Sequence, residues 1–226
     1  MKNIIAAALL SLLSYTTYAE EKCDLGLVLA MDVSGSVTTE EFKLQMEGTA
    51  LAFRNERVAR AIRSGFNHQI AVTVTNWASV GQAQVVVPWM LLNNSESIQV
   101  FSAAVLAVEK PQWGGSTGVG NALIHAHEQF SEIPCEAENF IIDISGDGAN
   151  NNGPDPTQVM VIPTWVQVNA LAILTDEPML DEWYKKVVAP YGGFVIVAND
   201  FQDYYRAILA KLELEIAQID RKFTEP

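Results

Sequence analysis

An apolar run, "LGLVLAM" (Leu25 to Met31), stops at Asp32, and two serines follow at alternate positions, Ser34 and Ser36. Two other polar loops belong with it: "GGSTGVG", which holds Thr117, and "SGDGANN", which holds Asp147 and follows the apolar run "FIIDIS". Two carboxylates and three hydroxyls, with no thiolate or imidazole, make an all-oxygen set suited to a hard divalent cation. Mg²⁺ fits such a set best, because it keeps near-octahedral geometry and readily retains water; Mn²⁺ and Ca²⁺ are the other candidates. Hydroxyls are neutral donors, so a cation held largely by them keeps uncompensated charge. An acidic side chain of another protein could complete its shell.

In a mainly parallel sheet the loops at the carboxyl ends of the strands gather on one edge, and that is where these three would meet. Strand-like and helix-like segments do alternate from Asp24 onward, the pattern of an α/β domain with a mainly parallel sheet. "DLGLVLAM" is continuously apolar, as a strand covered on both faces should be. A helix is predicted from about Thr39, because Thr38 and Glu41 have capping-box spacing and Phe42, Met46, Ala50 and Phe53 recur at helical intervals. "HQIAVTVTNW" and "QAQVVVPWML" read as an antiparallel pair at a sheet edge, where Pro88 is tolerated.

Helices follow in "SESIQVFSAAVLAV" and "VGNALIHAHEQF", then a strand in "NFIIDIS". A helix near Thr157 to Val161, shortened or kinked by Pro163, leads into the strand "QVNALAIL". "MLDEWYKKVVA" and "GGFVIVA" give another helix and strand. The tail is an amphipathic helix with Phe201, Tyr204, Ile208, Leu212, Ile216 and Ile219 on one stripe.

Residues 1–19 read as a secretory signal: Lys2, then "IIAAALLSLL", then "TYA" ending at Ala19. Residues 20–226 then form a single domain, and no later segment has the apolar length that a bilayer span needs. Export leaves 13 basic against 27 acidic residues, a surface that repels nucleic acid and suits a periplasmic or secreted protein. Cys23 and Cys135 each precede an apolar strand, so parallel neighbours would bring both to one end of the sheet. Sequence alone allows two free thiols; the compartment and the topology favour a bridge.

"DVSGS", the threonine of "STGVGNAL" and the aspartate of "SGDG" resemble the metal-ion-dependent adhesion site of von Willebrand factor A domains. The family order, Asp-x-Ser-x-Ser, then Thr, then Asp, maps onto Asp32, Ser34, Ser36, Thr117 and Asp147. The family spacing TxxGxAL selects Thr117 over Ser116, since Gly120, Ala122 and Leu123 then fall in place. The wording is closer still to an exported bacterial A-like branch of unknown function, through "MDVSGSV", "VVPW", "SGDGANNNG" and "NDF". One departure is Gly146-Asp147-Gly148, where the ordinary family has Thr-Asp-Gly. The resemblance covers Asp24 to Ile219. It implies a Rossmann-like, von Willebrand factor A type sheet with helices on both faces and a cation at its top, used for binding rather than catalysis.

Other chemistry finds less support. His125 and His127 lie two apart on a helix and point to different sides, so they cannot share an ion. There is no Gly-x-Ser-x-Gly elbow, no phosphate loop ending in Gly-Lys, and no EF-hand spacing around Asp155. Asn150, Asn151 and Asn152 read as turn residues, and Asp143, inside a central strand, needs a buried partner. Trp113 is worth watching, because it directly precedes the second site loop. The expected function is an exported, non-enzymatic, metal-dependent protein-binding module that captures an acidic group. A metal-dependent hydrolase using a cation-bound water is the alternative, and a passive domain that has kept the motif is a third.

Overall fold

The computed structural model describes residues 21–222 except 160 and 176, so the expected leader lies outside the described residues. Among the described residues there are eight strands and six α-helices: β1 (Lys22–Cys23), β2 (Leu25–Asp32), α1 (Thr39–Arg54), α2 (Glu56–Ser64), β3 (Ile70–Trp77), β4 (Ala83–Leu92), α3 (Ser95–Leu106) and α4 (Val119–Glu128) come first. They are followed by β5 (Glu136–Ala137), β6 (Phe140–Gly146), β7 (Val166–Ile173), α5 (Leu180–Val188), β8 (Val195–Ala198) and α6 (Tyr204–Lys222).

Six strands form one sheet in the order β4-β3-β2-β6-β7-β8. All its neighbours are parallel except β3 and β4, which make the antiparallel edge. Every residue of β2 is buried. Its side chains alternate as the pleat requires. Leu25, Leu27, Leu29 and Met31 pack with Phe42, Met46 and Phe53 of α1, Val58 of α2, Phe101 of α3 and Ile208 of α6. Val28 and Ala30 pack on the other face with Leu123 of α4 and Leu180 and Tyr184 of α5. Burial on both faces explains why the strand sequence is apolar without interruption.

Helix α1 starts where the sequence placed it: Thr38 and Glu41 make the reciprocal capping box. The helix stops at Asn55, whose extended backbone ends α1 and whose side chain accepts a hydrogen bond from the Arg57 N–H to open α2. The helix expected near Thr157 to Val161 is only a 3₁₀ turn, Pro156–Gln158, opened by the Asp155 side chain. Pro156 and Pro163 bracket too short a segment for an α-helix. Pro88 lies in the edge strand β4, beside an irregular stretch of register with β3.

The amphipathic tail becomes α6, with Tyr204, Ile208, Leu212 and Ile216 buried; the side chain of Ile219 lies outside the described residues. On the same helix Lys211 is wholly buried and pairs with Asp143 of β6 at 2.7 Å and with Glu215 at 2.5 Å. Asn169 of β7 donates to Glu215 at 2.8 Å. Asp143 thus has the partner that its position demanded. Burial pushes the Glu215 carboxyl up to about 7 even with Lys211 beside it.

Strands β1 and β5 form a separate parallel pair, and Cys23 and Cys135 are disulfide-bonded with Cα atoms 5.9 Å apart. The bond closes the end of the sheet opposite the polar loops. Among the described residues no helix is long and apolar enough to cross a membrane.

Candidate metal centre

Asp32 is the last residue of β2, held in register against Trp77 of β3. The Val33 N–H continues the ladder onto the Trp77 carbonyl at 2.9 Å. The chain then turns sharply. The Ser34 N–H donates to Asp32 Oδ1 at 2.7 Å, which fixes the carboxylate over the turn. From α1, Gln45 donates to the Asp32 carbonyl at 3.2 Å.

Gly35 joins this loop to the second one, since its N–H donates to the Gly115 carbonyl at 3.0 Å. A Cβ on Gly35 would lie 2.9 Å from that oxygen, so a side chain there would force the loops apart. Thr117 follows, just before α4. Its hydroxyl lies 3.5 Å from the Ser34 hydroxyl, whereas Ser116 is tied away from the site by backbone bonds to the Ser79 hydroxyl.

The third loop leaves β6 at Gly146 and presents Asp147. The Ser36 hydroxyl donates to Asp147 Oδ1 at 2.7 Å, and the Ser34 and Ser36 hydroxyls are 3.3 Å apart. Asp32, Ser34, Ser36, Thr117 and Asp147 therefore come together at one edge of the sheet. Gly146 is needed for this closeness: a Cβ there would lie 2.7 Å from the Tyr184 hydroxyl and 2.9 Å from Asp32 Oδ2.

The electrostatics are those of a site short of positive charge. Asp32 is wholly buried, and its Oδ2 has no hydrogen-bond partner among the described residues. Burial, and then the charge of Asp147, push the Asp32 carboxyl up to about 7, against the Ser34 N–H and hydroxyl and the nearby Asp147 backbone N–H, which act the other way. A lone buried oxygen beside a second carboxylate is costly unless a proton or a cation joins it. Ser36 stands at the exposed rim, while Ser34, Thr117 and Asp147 are buried. The donor set is oxygen throughout, and among the described residues no three His, Cys, Asp or Glu side chains come together as metal ligands. These residues fit a hard divalent cation held by two carboxylates and several hydroxyls.

Two contributions are not visible in the sequence. The asparagine run does more than turn the chain: Asn151 Oδ1 accepts from the Thr117 N–H at 2.8 Å, and the Asn151 and Asn152 N–H groups donate to the Thr117 carbonyl at 3.0 and 3.2 Å. Asn150 and Asn152 similarly grip Gly120 and Val80. Thr117 is thereby clamped from the third loop. The other is Tyr184 of α5, which is wholly buried beneath the site with no hydrogen-bond partner for its hydroxyl among the described residues. Burial, then the charges of Asp32, Asp147 and Glu177, hold its phenol protonated well above the usual range. Nothing in the sequence flagged it, because Leu180, Tyr184 and Val187 read as an ordinary apolar stripe.

The histidines lie elsewhere. His125 and His127 sit toward the end of α4 remote from Thr117, with the His127 ring near Phe130 and Trp165. Asp155 caps its 3₁₀ turn through Thr157.

The sheet order, the helices on both faces and the three loops define a von Willebrand factor A type fold. Solved structures share it. Proximal thread matrix protein 1 from the mussel byssus, in a structure with a zinc-occupied metal-ion-dependent adhesion site motif, is 20% identical with a TM-score of 0.62, covering 88% of this chain and 49% of that one. A von Willebrand factor type A protein from Catenulispora acidiphila is 17% identical with a TM-score of 0.58, covering 84% of this chain and 43% of that one. The conserved hypothetical protein BatB from Bacteroides thetaiotaomicron is 14% identical with a TM-score of 0.57, covering 86% and 99%. The chain thus spans about half the length of the first two. At these identities the likeness concerns the fold. No curated protein matches the sequence. Residues 22–220 match the model of a family described as proteins of unknown function (DUF1194), and the chain belongs to that family.

Proposed function

We propose that the protein is a metal-dependent binding module in which Asp32, Ser34, Ser36, Thr117 and Asp147 hold a divalent cation, Mg²⁺ foremost, that captures an acidic group of a partner protein. The observation that carries this reading is the buried Oδ2 of Asp32, without a hydrogen-bond partner among the described residues, with Asp147 and three hydroxyls gathered beside it. The zinc-occupied site motif of the mussel protein lends it support, because that protein shares the fold.

The cation would supply a Lewis-acidic coordination position at the top of the sheet. The chain's own residues do the rest. Asp32 is aimed by the Ser34 N–H, Thr117 is held by Asn151, and the donors stand within hydrogen-bond reach of one another across the three loops. With only two carboxylates in the set, the site keeps an appetite for one more anion.

We read the chain as an exported domain, residues 20–226 behind a signal at 1–19, lying in a periplasm or outside the cell. The bond between Cys23 and Cys135 supports that location, since such bonds persist in oxidising compartments. The test is capture from an envelope extract on immobilised protein, with Mg²⁺ or with EDTA, beside an Asp147→Ala column. Partners retained only by the wild type and released by EDTA support the reading. Capture that ignores both chelation and the substitution contradicts it.

A further inference from the structure

Beside the candidate metal centre runs a groove of about 630 Å³, between α1 and the segment that follows α3. Phe42 and Met46 form its floor, both buried, and Leu106, Val108 and Trp113 its walls. Leu106, at the end of α3, is 45% exposed and open to an incoming group. The volume falls in the range of pockets that bury a small ligand.

The groove is continuous with the metal loops. Gly114 lines it, and the next residue, Gly115, takes the hydrogen bond from Gly35 of the first loop. Lys110 lines it too and donates to the Val33 carbonyl at 3.4 Å, between Asp32 and Ser34 in sequence. Lys110 makes no ion pair among the described residues, and it is one of only 14 basic residues set against 27 acidic ones. Its ammonium therefore places a positive charge beside the first metal loop, in a chain with a strongly acidic balance. Across the mouth, Lys43 pairs with Glu47 at 3.8 Å. Glu109 stands near Lys110, so the rim is balanced and the apolar floor decides what enters.

We propose that this groove is a second recognition pocket for the same partner segment. It takes an apolar, preferably aromatic, side chain lying close in sequence to the acidic residue that meets the cation. This rests on the metal-binding reading above and adds to it the chemistry of the ligand: an extended peptide pairing one carboxylate with one apolar anchor. Aromatic anchors in such pockets commonly dominate the energetics of an interface.

The probe is a mixture of short acetylated peptides with one fixed aspartate and the other positions randomised over uncharged residues. It is offered to the full chain with Mg²⁺ or EDTA, while Mg²⁺ binding is measured separately by calorimetry. We expect Phe, Tyr, Trp or Leu to be enriched about tenfold at one spacing from the aspartate, and only with Mg²⁺. Leu106→Glu, at an exposed position that does not endanger folding, should abolish that enrichment while leaving aspartate selection and Mg²⁺ affinity unchanged. Lys110→Gln should weaken aspartate-containing peptides and leave the apolar preference in place.

Mg²⁺-dependent selection of aspartate with no apolar preference would overturn this inference and leave the metal reading standing. Apolar selection that persists in EDTA, or in Leu106→Glu, would show that the pocket is separate or lies elsewhere. A dimer that Leu106→Glu dissolves would give the groove to a second copy of the chain, against the proposal. Absence of both Mg²⁺ binding and aspartate selection would overturn the metal reading and this inference together.

Discussion

Ser36 and Asp147 stand 111 residues apart in sequence and are joined by a 2.7 Å hydrogen bond from the serine hydroxyl to a carboxylate oxygen. That bond spans two loops, one leaving β2 and one leaving β6, which are adjacent parallel strands. It draws the rim of the candidate site closed while Asp32 Oδ2 remains without a hydrogen-bond partner among the described residues.

The clamp on Thr117 should matter to the metal as much as some ligands do. Asn151→Ala removes the acceptor of the Thr117 N–H and frees the loop that carries the hydroxyl. Outer partners of metal ligands typically contribute 10–100-fold in affinity, so Mg²⁺ binding should weaken by about 10–100-fold. The stability of the metal-free protein should fall by about 1–2 kcal/mol, the worth of the lost bond. Calorimetry and denaturant melts measure the two effects separately.

Protons should compete with the cation at Asp32. Its carboxyl moves from 3.8 to about 7 in the folded chain. Folding therefore favours the protonated form, and the metal-free protein loses stability as pH rises from about 4 to about 7. The loss is complete above that. At about 1.36 kcal/mol per pH unit, the Asp32 contribution approaches about 4 kcal/mol. Asp32→Asn keeps the acceptor for the Ser34 N–H and removes the charge, so it should be the more stable form at neutral pH without metal. Glu215 titrates in the same window, and the difference between wild type and variant cancels it. Mg²⁺ affinity of the wild type should fall as pH drops below about 7. Urea melts across that range, with and without Mg²⁺, check the sign.

Lys211 should be indispensable to α6. Lys211→Met leaves Asp143 and Glu215 buried together without their cation. Removing one partner from such a cluster typically costs about 3–5 kcal/mol. The cost should show as a lower urea midpoint with Mg²⁺ affinity, measured well below that midpoint, nearly unchanged.

Most of the architecture was legible because parallel strands buried on both faces write themselves as unbroken apolar runs. Polar residues then appear abruptly at their carboxyl ends. Asp32, Ser34, Ser36 and Asp147 stand out for that reason, whereas Thr117, between two helices, is picked out by the TxxGxAL spacing of the family it resembles. The cap at Thr38 was equally plain, since both halves of its box are local. What stayed hidden depends on tertiary contact. Asn151 looks like any turn asparagine until Thr117 folds against it, and Tyr184 sits among apolar neighbours on α5. The break between α1 and α2 has neither proline nor glycine to announce it, because Asn55 serves both ends with its backbone and side chain. Lys211 interrupts the polar pattern of the tail only once its partners on β6 and α6 are known.

The central claim is tested most directly by titrating the full chain with Mg²⁺ in a calorimeter, wild type beside Asp32→Ala and Asp147→Ala. One saturable site in the wild type, lost in both variants while they remain folded, is the expected result. No binding by the wild type, or equal binding by all three, would contradict the account.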